Sequence, residues 1–233
     1  MNLNLWGLFP LSAVLLFIGF NGWYMRKHEK IFRKRYDQFR VDTTPANFSF
    51  AIWSLIYLVV LVITGMNCFD EYAVLPTGLS TAAFVVPLLW SPAFKNEMFV
   101  LSTLVLWTST VLTLVTFFYV EEDSEIYIYQ GIALYGGWLS SASLLSTFAL
   151  GQIILKHEAL NEMLVLDVFC FHFFFVVLSD SETLYRALAF HLVGIWTLVG
   201  IHYRCRQNYT LLAAVGMAVV VGIAVVRVLN DEE

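Results

Sequence analysis

The sequence predicts an all-α protein, a polytopic transmembrane bundle of about eight helices, and three observations predict it. The 233 residues are 59% hydrophobic and 13% charged. A soluble domain carries roughly 25% charged residues, so hydrocarbon rather than water surrounds most of this chain. Apolar runs recur along the whole length at close to the ~20 residues that a spanning helix needs. A span with its short loop takes about 28, which fits eight spans and leaves no room for a soluble catalytic domain. The loops between the runs also alternate between basic and acidic, the pattern left when Lys and Arg stay on the side that is not translocated.

The first run, Leu5 to Tyr24, has no basic segment before it and is followed by Arg26 and Lys27. That order reads as a retained first helix and not as a cleaved signal. The next three runs are Phe48 to Cys68, Gly78 to Phe94 and Met98 to Val120, each bounded by charge, Pro or Gly. Four more follow at Tyr129 to Leu155, Met163 to Ser179, Leu184 to Tyr203 and Tyr209 to Leu229. Each must be helical, because strands or irregular backbone would leave N–H and C=O groups unpaired in lipid. Pro87 and Pro92 should kink the third helix. Cys68, Cys170 and Cys205 have no paired spacing, so they support neither a disulfide framework nor a zinc site.

The first loop holds Arg26, Lys27, Lys30, Arg33, Lys34, Arg35 and Arg40, and later loops on the same side add Lys95, Lys156, Arg204 and Arg206. The opposite side gathers Asp70, Glu71, the acids of 121–125, Asp180, Glu182 and the acidic C-terminus, with Arg186 and Arg227 as its two cations. The basic loops are therefore expected on the matrix or cytoplasmic side and both termini opposite. The positive-inside rule accounts for Arg26, Lys27, Arg33, Lys34 and Arg35; contact with anionic lipid headgroups is the alternative, at about 1 kcal/mol per basic residue near such a surface.

The second run opens Thr44-Pro45-Ala46-Asn47-Phe48-Ser49-Phe50-Ala51-Ile52-Trp53-Ser54-Leu55-Ile56-Tyr57. Trp90-Ser91-Pro92-Ala93-Phe94 follows at the end of the third, and Tyr135-Gly136-Gly137-Trp138, with Ala142 and Leu145, lies in the fifth. In that order, over about residues 45–150, these segments resemble the tryptophan-rich sensory protein and translocator protein (TspO/MBR-like) family. The resemblance implies a five-helix core over residues 1–155, with residues 156–233 as three further helices packed on it. It also implies a mitochondrial inner-membrane location. Its departures are Pro87 and Ser146, where family members commonly carry Asn, and Leu134 in place of a Pro. Small residues at Gly136, Gly137, Ser140, Ser141 and Ser143 should let another backbone approach the fifth helix closely.

Trp53, Tyr57, Trp90, Tyr135 and Trp138 have two readings, a pocket for a flat apolar ligand such as a tetrapyrrole or sterol, or interior packing. Asp167 is the one carboxylate inside a predicted run, and an intramembrane charge is a functional candidate by default. A helix contact near the basic boundary is the alternative. His172 and His191 could face each other to ligate a haem or pass a proton, or be packing histidines. No phosphate-binding loop, nucleophile elbow or paired metal-ligand motif appears, so the sequence supports no enzyme, metal site or resident cofactor. Two functions follow: a ligand-binding membrane protein, or an accessory subunit of a larger, respiratory membrane complex. A small-molecule transporter is a third. The expected partners are membrane lipids and other membrane subunits, with no nucleic acid.

Overall fold

The computed structural model describes residues 4–38, 45–69, 75–120, 124, 126–155 and 160–231. Among the described residues all regular structure is helical, and each of the eight apolar runs becomes helix. A 3-10 turn at Leu5–Gly7 leads into α1 (Leu8–Lys27), and α2 (Glu29–Gln38) follows. A second 3-10 segment, Asn47–Ala51, leads into α3 (Ile52–Asn67). The third run is α4 (Thr77–Val85), a 3-10 segment Val86–Leu89 and α5 (Trp90–Lys95); α6 (Phe99–Phe118) and α7 (Ile126–Leu155) come next. The C-terminal part is α8 (Leu160–Leu178), α9 (Ser181–Arg186), α10 (Leu188–Cys205) and α11 (Asn208–Asp231). Among the described residues, five helical stretches are each long and apolar enough to cross a bilayer: Leu5–Lys27, Phe48–Asn67, Thr77–Lys95, Phe99–Phe118 and Asn208–Asn230.

The chain differs from the sequence expectation in three places. The basic first loop contains helix α2, whose buried Phe32 packs against Trp90 and Phe94. The third run breaks at Pro87 as expected, but not at Pro92. Pro92 is the third residue of α5, in its first turn, where proline is tolerated. The seventh run starts earlier than Leu184 and is two helices, with the break at Ala187. The Asp180 carboxylate caps α9 by accepting from the Thr183 N–H at 2.7 Å.

Helix α7 is the centre of the bundle. It packs against α3, α6, α8 and α10, while α1 packs on α3 and α4, and α11 on α8, α9 and α10. Because lipid is as apolar as leucine, small residues and side-chain hydrogen bonds must hold these helices together. Thr103 and Ser146 hydroxyls meet at 2.7 Å, those of Thr110 and Ser143 at 2.9 Å, and the Trp107 indole donates to Thr147 at 2.8 Å. These three bonds run along the α6–α7 seam. Gly137 of α7 lies directly on the backbone of Phe190 in α10. Buried residues of α1, α3, α4, α6, α7 and α10 share one apolar core, and α7, α8, α10 and α11 build a second.

Candidate functional site

The sequence-predicted aromatic residues largely converge. Trp53 and Tyr57, one helical turn apart on α3, have ring centres 5.2 Å apart, and Trp53 meets Trp138 of α7 edge-on at 5.8 Å. Tyr135 stacks on Phe84 of α4 at 5.4 Å. Phe17 of α1 sits in the middle, 6.2 Å from Trp53, 5.6 Å from Tyr57 and 6.2 Å from Tyr135. Phe50 closes the far side against Trp138 at 5.8 Å. Trp138 and Tyr135 are fully buried and form a floor; Trp53 and Tyr57 are half-buried and form a wall. Trp90 is not in ring contact with this group. It stacks on Phe94 at 5.2 Å and faces Phe32 at 6.4 Å.

The floor carries an unsatisfied donor. The Trp138 indole N–H is buried with no hydrogen-bond partner, a condition that costs about 1–3 kcal/mol. Such groups are rare and call for an acceptor. Phe17, Phe50 and Phe84 complete the site, and none was singled out from sequence. Nothing in a uniformly apolar run distinguishes an inward phenylalanine from one that meets lipid.

Of the intramembrane polar candidates, His172 on α8 and His191 on α10 come together, with ring centres 5.6 Å apart. Both are almost completely buried, and none of their four ring nitrogens has a hydrogen-bond partner. A haem ligated on both faces needs the two ring centres about 6.4 Å apart with the macrocycle between them. These rings are closer, and Phe190 lies 4.6 Å from His172 and 5.4 Å from His191, so a porphyrin does not fit between them. Asp167 is elsewhere, on the exposed face of α8 with Met163 and Leu166.

The basic end is an exposed surface. Arg26, Lys27, Arg33 and Lys34 are exposed, and Lys27 lies over the Trp23 ring at 4.8 Å. Arg33 pairs with Glu29 at 3.2 Å and Arg35 with Glu97 beyond α5. That second pair ties the first basic loop to the next one on the same end of the bundle. His28 is held below its usual basicity by partial desolvation and by Lys95 and Lys27. Lys156 and Arg40 lie outside the described residues.

The chain matches the family model described as TSPO-like protein over residues 8–229. The match therefore runs through the C-terminal helices α8 to α11 and not only the segment that carries the tryptophan motifs. No curated protein and no solved structure matches it.

Proposed function

Because the chain belongs to the TSPO-like family, matched from residue 8 to 229, we propose that this membrane protein is a non-catalytic binder of a flat hydrophobic ligand. The ligand class is a tetrapyrrole, sterol or other lipid that presents a hydrogen-bond acceptor. The observation that carries the reading is the buried, partnerless indole N–H of Trp138 at the floor of the aromatic cluster. A ligand entering past the half-buried Trp53 and Tyr57 would displace Phe17 and place its acceptor on that N–H, with Tyr135 and Phe84 against its flat face. The mitochondrial inner membrane, with the basic end toward the matrix, belongs to the same reading.

The test is quenching of tryptophan fluorescence by a porphyrin and by a sterol, with the full chain in lipid nanodiscs. Trp138→Phe keeps an aromatic ring and removes the donor, and a hydrogen bond of about 1.4 kcal/mol predicts roughly tenfold weaker binding. Wild-type protein that binds neither probe, or a Trp138→Phe variant that binds as well as wild type, overturns the proposal.

A second reading, the accessory subunit, rests on a separate observation. Asp167 stands on the outward face of α8 between exposed Met163 and Leu166, where hydrocarbon is a costly neighbour for a carboxylate. Another membrane subunit covering α8 would relieve it. Extraction in mild detergent followed by a native gel separates the readings: migration as a small particle excludes this one.

A further inference from the structure

The two histidines belong to none of the features used above, and a third side chain converges on them. Gly194 lies one turn after His191 on α10. A methyl group added to Gly194 would stand 2.6 Å from His172 Nε2, and the Met217 Cε of α11 lies closer still to the same point. The imidazole of α8 and the thioether arm of α11 therefore share the space that the glycine leaves open, at most about 5 Å apart, which is side-chain contact range. His191 also lines a groove of about 210 Å³ between α10 and α11, walled by Leu188, Val221, Ala224 and Val228. The groove runs toward the end of the bundle where exposed Asp180 and Glu182 lie. Glu182 is paired there with Arg186 and Asp180 caps α9, so the groove mouth carries balanced charge.

We propose that His172, His191 and Met217 form a binding site for a soft monovalent metal ion, Cu(I), at the junction of α8, α10 and α11.

Geometry allows it. A metal about 2.0 Å from a ring nitrogen lies about 3.2 Å from the ring centre, so one ion bridges two rings whose centres are up to about 6.4 Å apart. The observed 5.6 Å is inside that limit. Neutral imidazoles with free nitrogens are ready metal ligands, and a thioether beside them selects Cu(I) over harder ions. Charge decides between metals. Among the described residues, no third His, Cys, Asp or Glu joins the pair, so nothing neutralises the ion. A single positive charge costs less to bury in such a setting than the double charge of Zn²⁺. Phe175 and Phe190, each 5.4 Å from the His191 ring centre, wall the site with aromatic rings and keep water from it.

The experiment titrates the full chain in nanodiscs with Cu(I), anaerobically and against a competing chelator. A Cys68→Ala/Cys170→Ala/Cys205→Ala background removes the thiols. One equivalent of Cu(I) is expected. His191→Phe, which suits the phenylalanine surroundings, should weaken binding at least a hundredfold. Met217→Leu, nearly isosteric, should weaken it about tenfold, and X-ray absorption should show both nitrogen and sulfur neighbours. Loss of binding in the thiol-free background, His191→Phe binding equal to its parent, or Zn²⁺ competing as well as Cu(I) each overturns the proposal.

Discussion

Replacing Gly137 by alanine should force α7 and α10 apart, while the same change at Gly136 should not. The Cβ of an alanine at 137 would stand 2.7 Å from the Phe190 carbonyl oxygen, 3.0 Å from its Cα and 3.2 Å from Val193 Cβ. Carbon packs comfortably at about 3.5–4.0 Å, so α10 must retreat by roughly half an ångström or more. The obstacle is backbone, which cannot swing aside as a side chain does. Overpacking of this kind costs about 1–3 kcal/mol, against a gain in helix propensity of up to about 1 kcal/mol. At Gly136 the nearest atoms are Thr113 Cγ2 at 3.5 Å and Leu114 Cδ2 at 3.6 Å, ordinary contacts, so only the propensity gain remains there. The two alanine variants should differ by about 2 kcal/mol, or roughly thirtyfold in the unfolding equilibrium constant. Reversible unfolding in mixed micelles, followed by circular dichroism, measures it. Equal stability of the two variants would refute the close approach of α7 and α10.

Two further outcomes are expected. A double-mutant cycle with Thr103→Val and Ser146→Ala, read by the same unfolding assay, should give a coupling of about 0.6 kcal/mol, because the two hydroxyls meet in the α6–α7 seam; zero coupling would remove that bond from the account. Asp180→Ala should cost about 1 kcal/mol through the lost cap of α9. Hydrogen bonds from Thr183, the largest influence, hold the Asp180 carboxyl below its usual range. Its contribution is therefore fully present above about pH 4 and lost as pH falls through the lowered folded value. The gap between wild type and variant should be flat near neutrality and close in acid.

The sequence made the bundle legible because hydropathy and charge are strong signals in lipid. The apolar runs located the helices to within a few residues, and Pro87 located the break in the third run. Other features left no trace of that kind. The α9–α10 break at Ala187 has neither Gly nor Pro beside it, and the polar α9 before it reads as the loop that leads into a single run. Helix α2 is too polar for hydropathy to register, and it docks through Phe32 and the Arg35–Glu97 pair. The aromatic site was half legible. Trp53, Tyr57, Tyr135 and Trp138 carry a recognisable spacing, whereas Phe17, Phe50 and Phe84 resemble the many phenylalanines that face lipid. In water an amphipathic stripe reveals the inward face; in hydrocarbon both faces are apolar and the stripe vanishes. Polar residues escape this, so His172 and His191 stood out, but Gly194 and Met217 beside them did not.

Asp167 is where the two functional readings make opposite demands. It lies seven residues beyond the start of α8 at Leu160, about 10 Å along the helix, and its neighbours on the outward face are exposed Met163 and Leu166. If lipid covers that face, a charge there costs about 2.5–3.5 kcal/mol on insertion scales. Asp167→Leu then stabilises the isolated chain by a similar amount and leaves its migration on a native gel unchanged. If a partner's cation covers it, the isolated chain is stabilised just the same, since the partner is gone. The assembled complex, however, loses one member of a buried pair, and breaking such a pair costs about 3–5 kcal/mol. The prediction common to both readings is a more stable Asp167→Leu monomer, and an unchanged monomer would mean that water reaches Asp167. The prediction that divides them is the fate of the native-gel band: a variant that falls from a large complex to a small particle identifies α8 as a docking helix. A variant that runs with wild type leaves the aromatic site around Trp138 as the place where the protein meets its ligand.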